Sequence, residues 1–274
     1  MSVADAGIRV EGGLRRWLRP ALTAAAVLVL LGAGVFSRFE DVTAGVRPTY
    51  LARDPVLRRA PLRFYRAAQP HALVWFFGND VGFWGAQQRL AKSLADAGLD
   101  VVGMDLRAWF AARPAEPPER RAAAFRAAMS DLLARASREL GDTLLPLVLA
   151  GHSSGAEEAV WLAAQEPPPR LAGVVAISPG SRGHLKMTAS DLAFGEPTER
   201  GSFAVDSMLR AIPAGVRVSL VRGASDRLRS ADSVLVPSRP GLHRVLVPLA
   251  GHSMRRLFIA GPMIVDAMDW TIGR

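Results

Sequence analysis

The feature that most constrains this chain is the pentapeptide Gly151-His152-Ser153-Ser154-Gly155, a GxSxG pattern set between the apolar run at residues 145–150 and the helix-length stretch AEEAVWLAA. A strand-like run followed at once by a helical pattern demands a sharp turn, and a serine held on such a turn is forced into strained backbone geometry. Glycines on both sides let neighbouring elements approach where a Cβ would clash. The Ser153 hydroxyl then stands exposed above a sheet. The helix that follows aims unpaired N–H groups and its positive dipole end at the same point, where negative charge on an attacked carbonyl oxygen would develop.

Similar apolar runs recur along the chain, each followed by a polar turn and an amphipathic stretch, the pattern of strands alternating with helices in a mostly parallel sheet. Strands are expected at residues 72–77, 101–104, 145–150, 171–177, 216–221 and 245–249. Helices are expected at 83–96, 119–140, 156–164, 205–211 and 254–270, where apolar residues fall at helical spacing. The class is α/β, one domain over residues 61–274 with helices on both faces of a central sheet. Residues 178–203 form the long connection without a core pattern, following a strand where a lid is expected.

Before that domain, residues 1–20 are basic and residues 21–36 (ALTAAAVLVLLGAGVF) are uncharged and apolar, with a linker at 37–60. At 1.5 Å per residue the run would be about 25 Å long, a little short of a bilayer core of about 30 Å, so both a signal peptide and a signal anchor fit its length. The small-residue cleavage site beyond it, Val42-Thr43-Ala44, lies far from the apolar end, which favours the anchor. Basic residues ahead of the run keep the N-terminus in the cytoplasm. The expectation is a single-pass inner-membrane protein with its domain in the periplasm, or, if the segment is cleaved, a periplasmic protein.

Composition narrows the partners. The formal charge is +9, but the arginines are scattered among alanines and glutamates instead of forming a dense block, which argues against nucleic acid and fits anionic lipid head groups. There is no cysteine, so disulfides and Cys-ligated zinc are excluded. Histidines and carboxylates show no metal-ligand spacing, and no phosphate loop or dinucleotide fingerprint follows a strand, so neither a metal nor a cofactor is implied.

Of five histidines, His252 follows the last strand candidate and precedes the last helix, the expected seat of a general base. His71, His152, His184 and His243 are read as structural or solvated. Asp226 follows the strand at 216–221, completing the chain order Ser, Asp, His used by the α/β-hydrolase fold, with Asp232 and Asp206 in reserve. A carboxylate there would hold the imidazole tautomer and stabilise the imidazolium. The oxyanion hole calls for two backbone N–H groups, one from Ser154 and one from the loop after the first central strand, given by Asn79 or, alternatively, Asp80. Glu157 and Glu158 are assigned to the helix dipole or to gripping a cationic substrate.

With these residues in place, the chain resembles the VirJ/AcvB group of bacterial α/β-hydrolase-like virulence proteins over most of residues 70–255. The resemblance rests on Phe77-Gly78-Asn79-Asp80-Val81-Gly82-Phe83-Trp84, where the group has a glycine-rich, Asp-containing loop ending in tryptophan. It also rests on Val101-Val102-Gly103-Met104-Asp105-Leu106-Arg107-Ala108-Trp109-Phe110 and on Gly151-His152-Ser153-Ser154-Gly155-Ala156-Glu157. In the last block the group carries Tyr and Phe around the serine and Asp at the seventh place, where this chain has His152, Ser154 and Glu157. The resemblance implies an extracytoplasmic enzyme that hydrolyses the aminoacyl ester of lysyl-phosphatidylglycerol, with Ser153, Asp226 and His252 as its triad. Two other readings stand beside it. One is a generic esterase or lipase with Trp109, Phe110, Met187 and Phe194 lining an acyl pocket; the other is a non-catalytic virulence or secretion module on a hydrolase fold.

Overall fold

The computed structural model describes residues 20, 22–29, 45–113, 116–193 and 195–274. The chain divides into two compact units, residues 1–40 and 41–274. In the first, residues 22–29 are helical (α1), with Leu22, Leu28 and Val29 exposed. Among the described residues no helix is long and apolar enough to cross a membrane. The basic residues 1–19, the remainder of the 21–36 run and the Val42-Thr43-Ala44 site lie outside the described residues.

The second unit holds strands β1 (Leu62–Tyr65), β2 (Ala72–Phe77), β3 (Leu99–Met104), β4 (Leu147–His152), β5 (Leu171–Ile177), β6 (Arg182–His184), β7 (Ser202–Ala204), β8 (Arg217–Gly223) and β9 (His243–Val247). Its helices are α2 (Pro55–Arg59), α3 (Ala86–Asp96), α4 (Leu106–Ala111), α5 (Pro118–Leu140), α6 (Ser154–Gln165), α7 (Ala189–Leu192), α8 (Val205–Ala211), α9 (Asp232–Leu235) and α10 (Leu257–Ile272). Among the described residues seven strands form one sheet in the order β1-β3-β2-β4-β5-β8-β9. All neighbours are parallel except β1, which runs antiparallel to β3 along the edge.

Period-2 alternation sorts each strand between two cores. Leu73, Trp75 and Phe77 of β2 pack with α5, α6 and α8, through Phe125, Val160 and Leu209 among others. Val74 and Phe76 face the other way, onto Leu90 and Leu94 of α3 and Ile264 and Met268 of α10. Because both faces are covered, β2, β3 and β4 are buried along their whole length, which is why their sequences read as continuous apolar runs.

Three differences from the sequence reading have physical causes. Strand β4 begins and ends two residues later than the apolar run, because Pro146 has no N–H for the ladder while Gly151 and His152 still pair with Ala176 and Ile177 of β5. β9 spans 243–247 instead of 245–249, since its partners on β8 run from Ser219 to Gly223, leaving Leu249 exposed in the loop beyond. β1 was not anticipated, because four residues are too few for a periodic signal. Residues 178–203 carry β6 and α7, and β6 pairs antiparallel with β7 as a separate two-stranded sheet. Residues 45–60, read as linker, are tied to the sheet domain. Tyr50 bridges Phe64, its hydroxyl donates to Glu139 at 2.6 Å, and the Val46 N–H donates to Gln88 Oε1 at 3.0 Å.

Candidate active site

Strand β4 ends at His152 and α6 starts at Ser154, so Ser153 alone makes the turn, at φ 56° and ψ −124°. A non-glycine residue in that region is strained by about 1–3 kcal/mol and persists only where its surroundings over-determine it. Here they do: the Ser153 N–H donates to the Ile177 carbonyl at 2.8 Å, anchoring the turn to β5. The flanking glycines are sterically obligatory. A Cβ on Gly151 would lie 1.9 Å from the Gly155 carbonyl oxygen, and one on Gly155 would lie 2.3 Å from that of Gly78. The second approach also sets the loop after β2 against the start of α6.

The loops after β8 and β9 complete the arrangement. Ser153 Oγ donates to His252 Nε2 at 2.9 Å, and His252 Nδ1 donates to Asp226 Oδ1 at 3.0 Å. Burial works to raise the Asp226 pKa, but hydrogen bonds from His252, the Leu228 N–H and Arg222, with the His252 charge, outweigh it and hold the carboxyl well below the usual carboxylate range. Asp226 therefore stays ionised and can favour an imidazolium on His252.

The sequence reading missed Arg222. Its side chain is fully buried in β8, where Nη1 donates to Asp226 Oδ2 at 3.0 Å, Nε to Asp232 Oδ1 at 3.0 Å and Nη2 to the Pro179 carbonyl at 2.7 Å. An arginine inside the apolar run RVSLVRG was the available signal, because a buried charge needs a partner. Asp232, held in reserve as the acid, is thus engaged by Arg222, while Asp206 pairs with Arg210 on α8.

Ser154 is the first residue of α6, where a backbone N–H has no intrahelical acceptor. Asn79 lies in the loop after β2, where its carbonyl accepts the Gly82 N–H at 2.9 Å and its Oδ1 accepts the Val81 N–H at 3.2 Å. Asp80 lines the cavity beside Ser153. Of the remaining histidines, His71 faces Asp269 at 3.3 Å and His243 stacks on Trp270.

That cavity encloses about 400 Å³ and is walled by residues 180–184 and 195–197 of the long connection and by residues 228–234 after β8. Its described lining includes four carboxylic side chains, Asp80, Glu157, Asp191 and Glu196, and the basic Arg182 and His184. His184, read as structural or solvated, is buried between Asp191 and Glu199. Burial pushes its pKa down, but these two carboxylates outweigh it and raise it. Burial, reinforced by Asp191, raises the Asp80 carboxyl.

Glu157 and Glu158 do not sit as charges on the helix dipole. Both are buried; Glu157 accepts the Gly180 N–H at 2.8 Å and is pushed up to about 8 by burial, and among the described residues no other side chain or chain segment satisfies the carboxyl oxygens of Glu158. Burial first, and then Glu157, raises Glu158 well above the usual range, so both favour the neutral acid. The neutral form of Glu158 contributes its full stability below the ordinary carboxylate pKa and loses it as pH rises toward the higher folded value. Glu158→Gln, which cannot ionise, is therefore expected to gain stability over the wild type progressively as pH rises above the ordinary carboxylate range. Thermal unfolding across that rise measures it, and a gap independent of pH would contradict the burial argument.

The acyl pocket expected from Trp109, Phe110, Met187 and Phe194 is not beside the serine. Trp109 is buried in the core and Phe110 and Met187 pack against it, Phe110 stacked 5.9 Å from Phe125 of α5, because apolar side chains gain more from that interior than from a polar cleft; Phe194 lies outside the described residues.

The parallel sheet, the strained serine turn and the Ser-His-Asp arrangement define an α/β-hydrolase. The chain belongs to the family described as serine aminopeptidase, S33, whose model matches residues 68–227, and the protein is a serine hydrolase. Among solved structures it is similar to TT1662 from Thermus thermophilus, with 21% identity, a TM-score of 0.54, and coverage of 84% of this chain and 99% of that one. It is also similar to a thermostable carboxyl esterase from Bacillus coagulans, with 11% identity, a TM-score of 0.58 and coverage of 84% and 99%. A third, Est1E from Butyrivibrio proteoclasticus, has 13% identity and a TM-score of 0.55, covering 78% and 94%. These likenesses establish the fold. No curated protein matches the sequence.

Proposed function

We propose that this protein is a carboxylic ester hydrolase acting on aminoacyl esters, with the aminoacyl ester of aminoacylated phosphatidylglycerol as its substrate. Ser153 is the nucleophile, His252 the base and Asp226 the residue that orients it. Ser153 Oγ attacks the ester carbonyl as His252 Nε2 takes its proton. The oxyanion is received by the N–H groups of Ser154 and Asn79. His252 returns the proton to the departing alcohol of the lipid, leaving an acyl-enzyme that water, deprotonated by the same imidazole, cleaves to the free amino acid.

The observation that carries the substrate class is Asp80, whose carboxyl lines the cavity beside Ser153 and can pair with an ammonium on the acyl group, where a plain hydrocarbon chain gains nothing from it. The resemblance to the VirJ/AcvB group supports the lipid. On this reading residues 21–36 hold the domain at the periplasmic face of the inner membrane, beside that lipid.

The test compares purified full-length protein on lysyl-phosphatidylglycerol vesicles and on a butyrate ester. The expected result is release of lysine with a kcat/KM well above that for butyrate. Asp80→Asn, which keeps its backbone N–H and loses only the charge, should lower the lysyl value by about tenfold, equivalent to about 1.4 kcal/mol, and spare butyrate. Butyrate turnover with lysyl lipid left intact would favour a generic esterase. A Ser153→Ala chain that keeps its cellular phenotype would favour a non-catalytic module.

A further inference from the structure

His152, inside the GxSxG motif but facing away from the cavity, sits between the two loops that flank the serine. It is the last residue of β4 and is buried. Its Nε2 lies 2.7 Å from the backbone carbonyl oxygen of His252. A carbonyl only accepts, so Nε2 carries the hydrogen. Burial first, and then the neighbouring His252, pushes the His152 pKa down to about 4, so the ring is neutral at physiological pH and Nδ1 is a lone-pair acceptor. Facing Nδ1 is the Asn79 amide nitrogen at 3.3 Å, with the Gln87 amide nitrogen at 3.4 Å. The Asn79 amide is oriented consistently, since its oxygen accepts the Val81 N–H at 3.2 Å.

The loop that carries His252 needs such a hold. Leu249 and Met254, on either side of it, both have positive φ, 57° and 49°, which disfavours the observed course for L-residues. The loop is tied by the Ser225 N–H to Ala250 and by the Met254 N–H to Gly251, and the carbonyl of His252 itself is taken by His152.

We propose that His152 is a positioning residue that, as one neutral imidazole, joins the loop of the general base to the loop of the oxyanion donor, setting His252 and Asn79 in register about Ser153. Displacements on the scale of 1 Å cost about a hundredfold in rate, so the joint should act on the chemical step and spare substrate binding. The inference rests on the catalytic reading of Ser153, His252 and Asn79.

The test uses the full chain with His152→Phe, which keeps a ring and removes both hydrogen bonds, and His152→Gln, whose amide can donate to the carbonyl and accept from Asn79. The expected result is a kcat lowered about a hundredfold in the Phe variant with KM within about twofold, and recovery to within about tenfold of wild type in the Gln variant. A folded Phe variant with kcat within threefold of wild type, or a Gln variant no better than Phe, would overturn the proposal. The 15N spectra of histidine-labelled wild type give a readout that requires no folded variant. His152 should show a protonated Nε2 and an unprotonated Nδ1, without titration between pH 5 and pH 8, and the opposite tautomer or a charged ring would also overturn it. Wild-type protein inert toward every ester would instead remove the catalytic reading, and the spectra would still report whether the imidazole makes the joint.

Discussion

Ser153→Ala should lower ester hydrolysis by about a million-fold in kcat, to a residual rate still about 10³–10⁴-fold above that in water. The residual arises because the proposed donors at Ser154 and Asn79 and the binding cavity survive the change. The loss is large because this hydroxyl is aimed at the base: His252 Nε2 is 2.9 Å from it, and the turn that presents it is set by backbone contacts of Gly151 and Gly155. The substitution removes a single oxygen from a half-buried site and leaves the core unchanged, so thermal stability should stay within about 0.5 kcal/mol of the wild type. Steady-state kinetics on an activated ester with a matched melting curve test both halves. A folded Ser153→Ala protein within tenfold of wild-type kcat would exclude this serine as the nucleophile.

Asp226→Asn carries the second largest effect, a loss of about 10⁴-fold in kcat. The asparagine can turn an N–H toward His252 Nδ1, which stabilises the tautomer with hydrogen on Nε2, and that nitrogen can then no longer take the Ser153 proton. A second consequence falls on stability. Arg222 is fully buried and distributes its charge between Asp226 and Asp232, so removing the side chain in Asp226→Ala leaves part of a guanidinium uncompensated. Breaking a buried ion pair from one side costs about 3–5 kcal/mol, so the alanine variant should be inactive and destabilised, and the asparagine variant inactive with a smaller stability loss because its amide oxygen can still accept from Arg222. Equal melting temperatures for Asp226→Ala and wild type would show that Arg222 does not depend on Asp226.

The serine turn and the α/β class could be read from local pattern, because the contrast between strand and helix around residues 151–155 is contiguous and the doubly covered strands spell themselves out in aliphatic residues. Asp226 and His252 could be chosen because this fold orders its site residues along the chain, and the structure places His252 Nε2 2.9 Å from Ser153 Oγ and Asp226 Oδ1 3.0 Å from His252 Nδ1. What escaped depends on partners distant in sequence. Arg222 gains its meaning from Pro179, 43 residues away, and Glu158 became a buried acid because helix α6 is covered on nearly all sides, which its pair of glutamates did not advertise. Trp109 and Phe110 suggested an acyl pocket because apolar rings look alike in sequence whether they line a cleft or fill a core; here Trp109 is in the core and Phe110 stacks on Phe125 of α5. The cavity itself is assembled from segments around residues 80, 153, 184 and 230, and no single stretch carries its charge.

The most direct measurement is reaction of the purified full-length protein with a fluorophosphonate, followed by mass mapping of the adduct. An activated serine is phosphonylated while ordinary serines are not, so the account predicts one adduct, on Ser153, abolished in both Ser153→Ala and His252→Ala. No adduct on folded wild-type protein, or an adduct on another serine, would contradict it.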